Sequence, residues 1–275
     1  MIKDIVVNLG LGAKDPAGDF AISVANTFEA HLLGVAFVYD PIIPGTVMGS
    51  IPPEFIESQR RESEKKASDA IARFEQAAKR AGVSFETRSV NASIAGAADR
   101  LGRLARRFDL AIVGQPERDR AAAAQVVDEG VLFESGRPVI FVPYIQQAGL
   151  KLDSVLVCWD GSRAATRAIA DAMPFLQKAK QVEIIMVASK AGKNDEIPGA
   201  DLGQHLARHG LKVDVKRITS PDIDVTSTIL SYAADSSADM IVMGGYGHSR
   251  LREFILGGVT HGILETMTVP TLMSH

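Results

Sequence analysis

Ten short runs with strand character punctuate the chain, at Ile5–Val7, Leu33–Val38, Ser84–Ser89, Leu110–Val113, Val139–Val142, Ser154–Cys158, Val182–Val187, Lys212–Ile218, Met240–Met243 and Thr271–Met273. Most are continuously apolar, as strands buried on both faces must be, rather than alternating. Between them the apolar positions recur at helical spacing. Ala21, Val24, Ala25, Phe28 and Leu32 predict a first helix, and Ala98, Leu101, Ala105 and Phe108 predict one over 94–108. A long polar helix is expected over 54–81, closed by Gly82, and another over 121–135. Strands alternating with helices point to an α/β protein built on parallel sheet.

From Asp40 the pattern breaks: Pro41, Pro44, Gly45, Gly49, Pro52 and Pro53 mark a loop. A second change comes at residues 146–151, after which the first pattern restarts. DIVVNLGLG aligns with SVLVCWDGS at an offset of 150 (Asp4 against Ser154), and the residues around Pro138 align with those around Pro270 at an offset of 132. Ala165, Ala168, Ile169, Ala172, Met173 and Leu176 repeat the first helix's stripe. An internal repeat of this size implies two tandem units, residues 1–146 and 151–275, in preference to one ten-stranded sheet. The first carries the additional residues, placed in the loop at 40–57 and its long helix.

Composition narrows the picture. With 275 residues, 46% hydrophobic and 23% charged, the chain can bury a sizeable core. A net charge of −3 and a pI near 6.1 supply no basic field for nucleic acid or an anionic membrane. Cys158 is the one cysteine, which excludes an internal disulfide and fits a reducing, cytoplasmic setting. No apolar run reaches the roughly 18 residues of a membrane span, and no metal-ligand spacing occurs, so no structural metal is expected. His31, His205, His209, His261 and His275 are scattered along the chain.

The candidate chemistry lies in DMIVMGGYGHSRLREFILGGVT, where a strand stops at Gly244, Gly245 and Gly247 and a second glycine pair, Gly257 and Gly258, follows. Glycines just beyond a buried strand let backbone N–H groups approach an anion, phosphate above all. The spacing fits neither the dinucleotide fingerprint nor the P-loop. Ligands of open parallel sheets sit beyond the strands' carboxyl ends, so the loops there can be compared between halves. After its first strand the second half has Trp159-Asp160-Gly161-Ser162, and the first half Leu9-Gly10-Leu11-Gly12; after the fourth, Gly244 to Gly247 stands against Gly114-Gln115-Pro116-Glu117. Asp160 could accept hydrogen bonds from a sugar or base, whereas Ser162 suits a helix cap. Ser249 could meet a phosphate at a helix start, and neither His248 nor a GxSxG elbow supports catalysis.

These residues resemble the universal stress protein family, whose nucleotide-binding members carry G-x2-G-x9-G-[Ser/Thr] after the fourth strand. Here Gly244, Gly247 and Gly257 fill that pattern, with Gly258 in place of the hydroxyl residue. The resemblance implies two tandem Rossmann-like domains of the adenine nucleotide alpha hydrolase-like type, each a five-stranded parallel sheet with helices on both faces. It implies ATP, alone or with Mg2+, or a related adenine nucleotide in the second domain. By the same resemblance Asp160 meets ribose or adenine, Met186 and Val187 wall the adenine, and Met243 and Gly244 touch the ribose side. Gly247, Ser249, Gly257, Gly258, Val259 and Thr260 meet the phosphates. Gly258 lacks a hydroxyl, a loss of about 1 kcal/mol as one hydrogen bond.

The first domain, with Gly10 for the aspartate and Pro116 in the loop, is expected to bind no triphosphate. Family members pair through their last strands, which implies that Val139–Val142 meets Thr271–Met273 across an internal pseudo-two-fold, with a homodimer as a further option. The expected function is stress-related, regulatory binding of nucleotide with slow hydrolysis at most. The alternative is a nucleotide-independent binding module using the loop at 40–57 for another ligand or protein.

Overall fold

A computed structural model describes residues 1–40, 52–115, 130–188, 199–219, 224–246 and 258–275. Its strands are β1 (Asp4–Asn8), β2 (His31–Tyr39), β3 (Phe85–Ala92), β4 (Leu110–Gly114), β5 (Val139–Val142), β6 (Ser154–Cys158), β7 (Gln181–Ala188), β8 (Val213–Thr219), β9 (Met240–Gly244) and β10 (Thr271–Ser274). The helices are α1 (Pro16–Phe28), α2 (Pro53–Ala81), α3 (Ile94–Ala105), α4 (described over 130–135), α5 (Arg163–Leu176), α6 (Ala200–Arg208), α7 (Val225–Asp235) and α8 (Gly258–Thr266). The chain falls into two compact units, Ile2–Ser135 and Gly136–His275.

In the first unit the strands run β3-β2-β1-β4, all parallel. In the second they run β5-β10-β9-β6-β7-β8, parallel except that β5 lies antiparallel to β10. The apolar runs account for this: Ile5, Val6 and Val7 in β1 and Val155, Leu156 and Val157 in β6 are at most 1% exposed. The units part at Ser135, whereas the sequence restarts at 146–151. The intervening strand β5 keeps its place beside β10, with Phe141 opposite Thr271 and Val139 opposite Met273.

Each unit begins with the same polar device. In the first, one carboxylate oxygen of Asp109 accepts the N–H groups of Lys3 (2.7 Å) and Asp4 (3.1 Å), while Asp109 N donates to Asp4 O. In the second, Asp239 accepts from Asp153 (2.9 Å) and Ser154 (3.0 Å), while its own N–H donates to Ser154 O. An ionised acceptor makes these stronger than ordinary backbone bonds. They set the register of β1 against β4 and of β6 against β9.

Three helix boundaries differ from the sequence expectation. Helix α1 stops at Phe28, and Glu29 closes it in the left-handed region at φ 51°. Leu32 therefore lies in β2 at 0% exposure rather than on the helix. The helical period ran on only because the first buried residue of β2 falls four positions after Phe28, with no glycine to mark the stop. Helix α3 ends at Ala105, leaving Phe108 half-buried in the following turn. Pro53, expected within the loop, opens α2, where its missing N–H would have no helical partner in any case. The rest of the proline-rich loop, 41–51, lies outside the described residues.

Helix α2 docks on β2 through Ala67, Ala70, Phe74 and Ala78. It packs tightly over Gly34, where an added Cβ would stand 2.8 Å from Phe74 Cε1 and 3.2 Å from Leu9 Cδ1. Gly34→Ala is therefore expected to overpack this layer and lower stability by about 1–3 kcal/mol. Urea unfolding checks this, and a variant as stable as the parent would show that the Phe74 ring yields freely.

Candidate functional site

In the second unit β6 lies between β7 and β9. The chain leaves β6 through α5 to β7 on one side and leaves β9 through α8 to β10 on the other. Neighbouring strands whose connections depart in opposite directions create a crevice at their carboxyl ends, where ligands of open α/β sheets bind. Cys158, at the end of β6, faces Ile185 of β7 and Met243 of β9. Trp159 N donates to Ile185 O at 2.9 Å, prolonging the pairing by one bond. The chain then turns into the solvent.

Asp160 is exposed at this turn, and its Oδ1 accepts the Ser162 N–H at 2.9 Å. Its Oδ2 makes no hydrogen bond to a described residue. Gly161 supplies φ 75°, a conformation that other residues rarely adopt. Ser162 caps α5 by accepting the Ala165 N–H at 3.1 Å. The local pattern thus leaves one carboxylate oxygen of Asp160 facing outward.

On β7, Met186 is 7% exposed and Val187 half-buried. Gly199, which precedes α6 at φ 87°, packs over Met186: a Cβ there would fall 2.8 Å from the Met186 Sδ and 3.4 Å from Trp159 Cδ1. Only glycine fits both that backbone and that contact. Gly199 was not singled out from sequence, although the Pro198-Gly199 pair is a turn signal. Met186 and Trp159 are thereby brought to one wall.

On β9, Met243 is buried at 5% exposure. Gly244 has a packing role that the sequence reading did not assign: a Cβ would lie 2.5 Å from Ala165 N and 2.7 Å from Ala164 C. The start of α5 rests directly on it. Beyond it Gly245 N donates to Ser274 O at 2.9 Å, and a ring nitrogen of His275 sits 3.1 Å from Gly245 O. Tyr246 follows in the left-handed region at φ 48° and donates its N–H to Thr260 Oγ1 at 3.2 Å. Thr260, 7% exposed, thus ties the exit of β9 to the first turn of α8.

Gly258, the first residue of α8, is exposed, and beyond its own chain neighbours and helix backbone no atom of a described residue lies within 4 Å of where its Cβ would stand. Val259 is half-buried. Gly247, Ser249 and Gly257, with His248 and Arg250, lie outside the described residues. Burial pushes the Cys158 thiol up to about 12, with the Asp160 charge adding to the shift. It stays protonated at neutral pH and behaves as a small apolar group. Among the described residues no group of three or more His, Cys, Asp or Glu is placed to hold a metal ion.

The corresponding loop of the first unit is built differently. Leu9 N donates to Val35 O at 2.8 Å, as Trp159 does to Ile185, but Gly10 stands where Asp160 does. The cap of α1 comes later, at Asp15, whose carboxylate accepts the Gly18 N–H at 3.0 Å. Arg73 reaches in from α2 and donates to Gly12 O at 2.7 Å and Gly10 O at 3.4 Å. This half fills the end of β1 with its own side chains. Gln115 is buried beyond β4, and Pro116 and Glu117 lie outside the described residues.

The open parallel-sheet architecture with loops clustered at its carboxyl edge defines an α/β protein of the Rossmann-like class. Residues 151–275 match the sequence model of the Universal stress protein family, and this half of the chain belongs to that family. A universal stress protein of Synechocystis, Slr1230, is 26% identical over 127 residues, which are 44% of this chain and 42% of that protein. The chain thus spans about two fifths of the length of the curated relative it matches. A universal stress protein of Archaeoglobus fulgidus superposes with a TM-score of 0.74 at 18% identity, covering 98% of this chain and 94% of that one. A putative universal stress protein of Pseudomonas aeruginosa gives 0.63 at 15%, covering 98% and 92%. At these identities the structural likeness establishes the fold.

Asp15 provides a test of the first unit's loop. Burial pushes its carboxyl up from 3.8 to about 6, against the opposing hydrogen bonds from Gly18 and Gly10 and the Arg73 charge, while the nearby Asp19 adds to the rise. The folded chain therefore holds the Asp15 proton more tightly than the unfolded chain. The stability this confers is complete below about pH 4 and disappears as pH rises through about 6. Asp15→Asn, which keeps the cap acceptor, should flatten the pH 4 to 7 decline by on the order of 2 kcal/mol. Urea midpoints across that range measure it, and identical slopes in both proteins would mean that the carboxyl ionises unhindered.

Proposed function

We propose that this chain is a stress-response protein that binds one adenine nucleotide, ATP with or without Mg2+, in its second half. Binding alters the chain's shape or partners, with hydrolysis slow at most. The observation that carries this reading is the crevice between the carboxyl ends of β6 and β9, where Asp160 offers an outward carboxylate oxygen. Trp159 and Met186 supply an apolar wall on the β7 side. Among the described residues none crowds Gly258 at the start of α8, and helix starts favour phosphate.

The first half is read as nucleotide-free. Gly10 supplies no carboxylate, and Asp15 and Arg73 occupy the equivalent loop. The pairing of β5 with β10 supports reading the two repeats as an internal pseudo-dimer. A cytoplasmic site of action accords with the lone cysteine.

Calorimetry of the full chain with ATP should give one site per chain, weakened at least tenfold in Asp160→Ala. Two sites per chain, or an Asp160→Ala protein that binds as tightly as the parent, would sink the proposal. Gly258→Ser introduces a hydroxyl where no described residue stands in its way and should tighten binding by up to about fivefold, the equivalent of one hydrogen bond of about 1 kcal/mol.

A further inference from the structure

Helix α6 packs inward through Gly203 and Leu206, and two exposed histidines one turn apart, His205 and the C-cap residue His209, flank that buried face. Their rings lie edge to face, with centroids 4.8 Å apart and planes inclined by 69°. Neither side chain makes a hydrogen bond or ion pair to a described residue. By contrast, His31 meets Ser84 and Glu86, His261 meets Glu265, and His275 meets Gly245.

We propose that His205 and His209 form a two-donor site for a borderline divalent cation of the Zn2+ class. Histidines at i and i+4 on one helix face are spaced to share a metal ion, as in helical zinc motifs. Zn–N bonds of about 2.0–2.1 Å require two ring nitrogens to converge on one point. Rings already in contact, on exposed side chains that can rotate, reach that arrangement without moving the backbone. The neutral imidazole is the form of histidine that ligates a metal ion. Among the described residues no third His, Cys, Asp or Glu completes the set, so water fills the remaining positions. The site is an open one, exchanging with solvent, rather than a structural centre that folding depends on.

The chelate would clasp the last turn of α6, since His209 is the residue that closes the helix and donates its N–H to Leu206 O. The opposite end of this helix begins at Gly199, against Met186 and Trp159. The inference stands independently of nucleotide binding.

Calorimetric titration of the nucleotide-free full chain with ZnCl2 at pH 7.5, in a non-coordinating buffer, tests it. One ion per chain should bind at this pair, and His205→Ala and His209→Ala should each weaken that binding at least tenfold. His261→Ala should leave it unchanged. Both histidines are exposed, so these variants should fold as the parent does, checked by their metal-free melting temperatures. Zn2+ should raise the melting temperature of the parent and not that of His205→Ala. No binding by the parent, affinity within threefold of the parent in His205→Ala, or loss confined to His261→Ala would each overturn the proposal.

Discussion

The pairing of β6 with β9 is the constraint from which the candidate site follows. One carboxylate oxygen of Asp239 holds two successive N–H groups at the amino end of this pair, and the ladder then carries that alignment along to Cys158 and Met243. A slip of one residue in this ladder would move Cys158 off Met243 and shift the two following loops against each other. The polar contact thus lies at one end of these strands and the candidate site at the other. Gly244 completes the arrangement by letting the backbone of α5 settle against β9 with no side chain between them. The same glycine that resembles a ligand contact in the sequence is also a packing requirement.

The two units share this scaffold and differ at its mouth. Asp109 repeats the part played by Asp239, and the Leu9–Val35 bond repeats the Trp159–Ile185 bond. After β1, however, three more residues precede the helix cap than after β6, and the capping carboxylate of Asp15 turns inward to backbone N–H groups. Arg73 binds the carbonyls of the same loop from α2. A buried carboxyl that resists ionisation and a guanidinium committed to backbone oxygens make this loop a closed hydrogen-bonded unit. Asp160, exposed and with one oxygen uncommitted, is the contrary case.

All ten strands and the glycine stop of α2 were legible in the sequence because each leaves a local mark: an apolar run, a short apolar–polar alternation as in β3 and β8, or a Gly82 that takes φ 68°. The Ser162 cap was legible for the same reason. What escaped depends on contacts between distant residues or on conformations without a compositional signature. Glu29 ends α1 in a left-handed conformation that a glutamate does not advertise, so the first helix was read through into β2. Nothing local to Asp15 announces that Arg73, far along the chain, approaches the same loop. Gly199 looks like an ordinary turn residue until Met186 is found beside it. The histidines of α6 looked scattered because ring contact depends on which helix face they share. The place of Asp160 just beyond β6 could be read from the sequence, whereas the packing duties of Gly244 and Thr260 emerged only from the folded chain.

Strand β5 lies before the point where the sequence repeat restarts, yet it covers the outer side of β10. A polypeptide cut at that restart would keep every residue matched to the family and still lose its border. β10 is fully buried along its length. Without β5, its Thr-Leu-Met-Ser backbone would present unpaired N–H and C=O groups along an apolar edge, the kind of surface on which strands from other chains assemble. The boundary of the repeat and the boundary of a soluble fragment therefore differ by one strand, and the fragment should begin ahead of Val139 rather than after it.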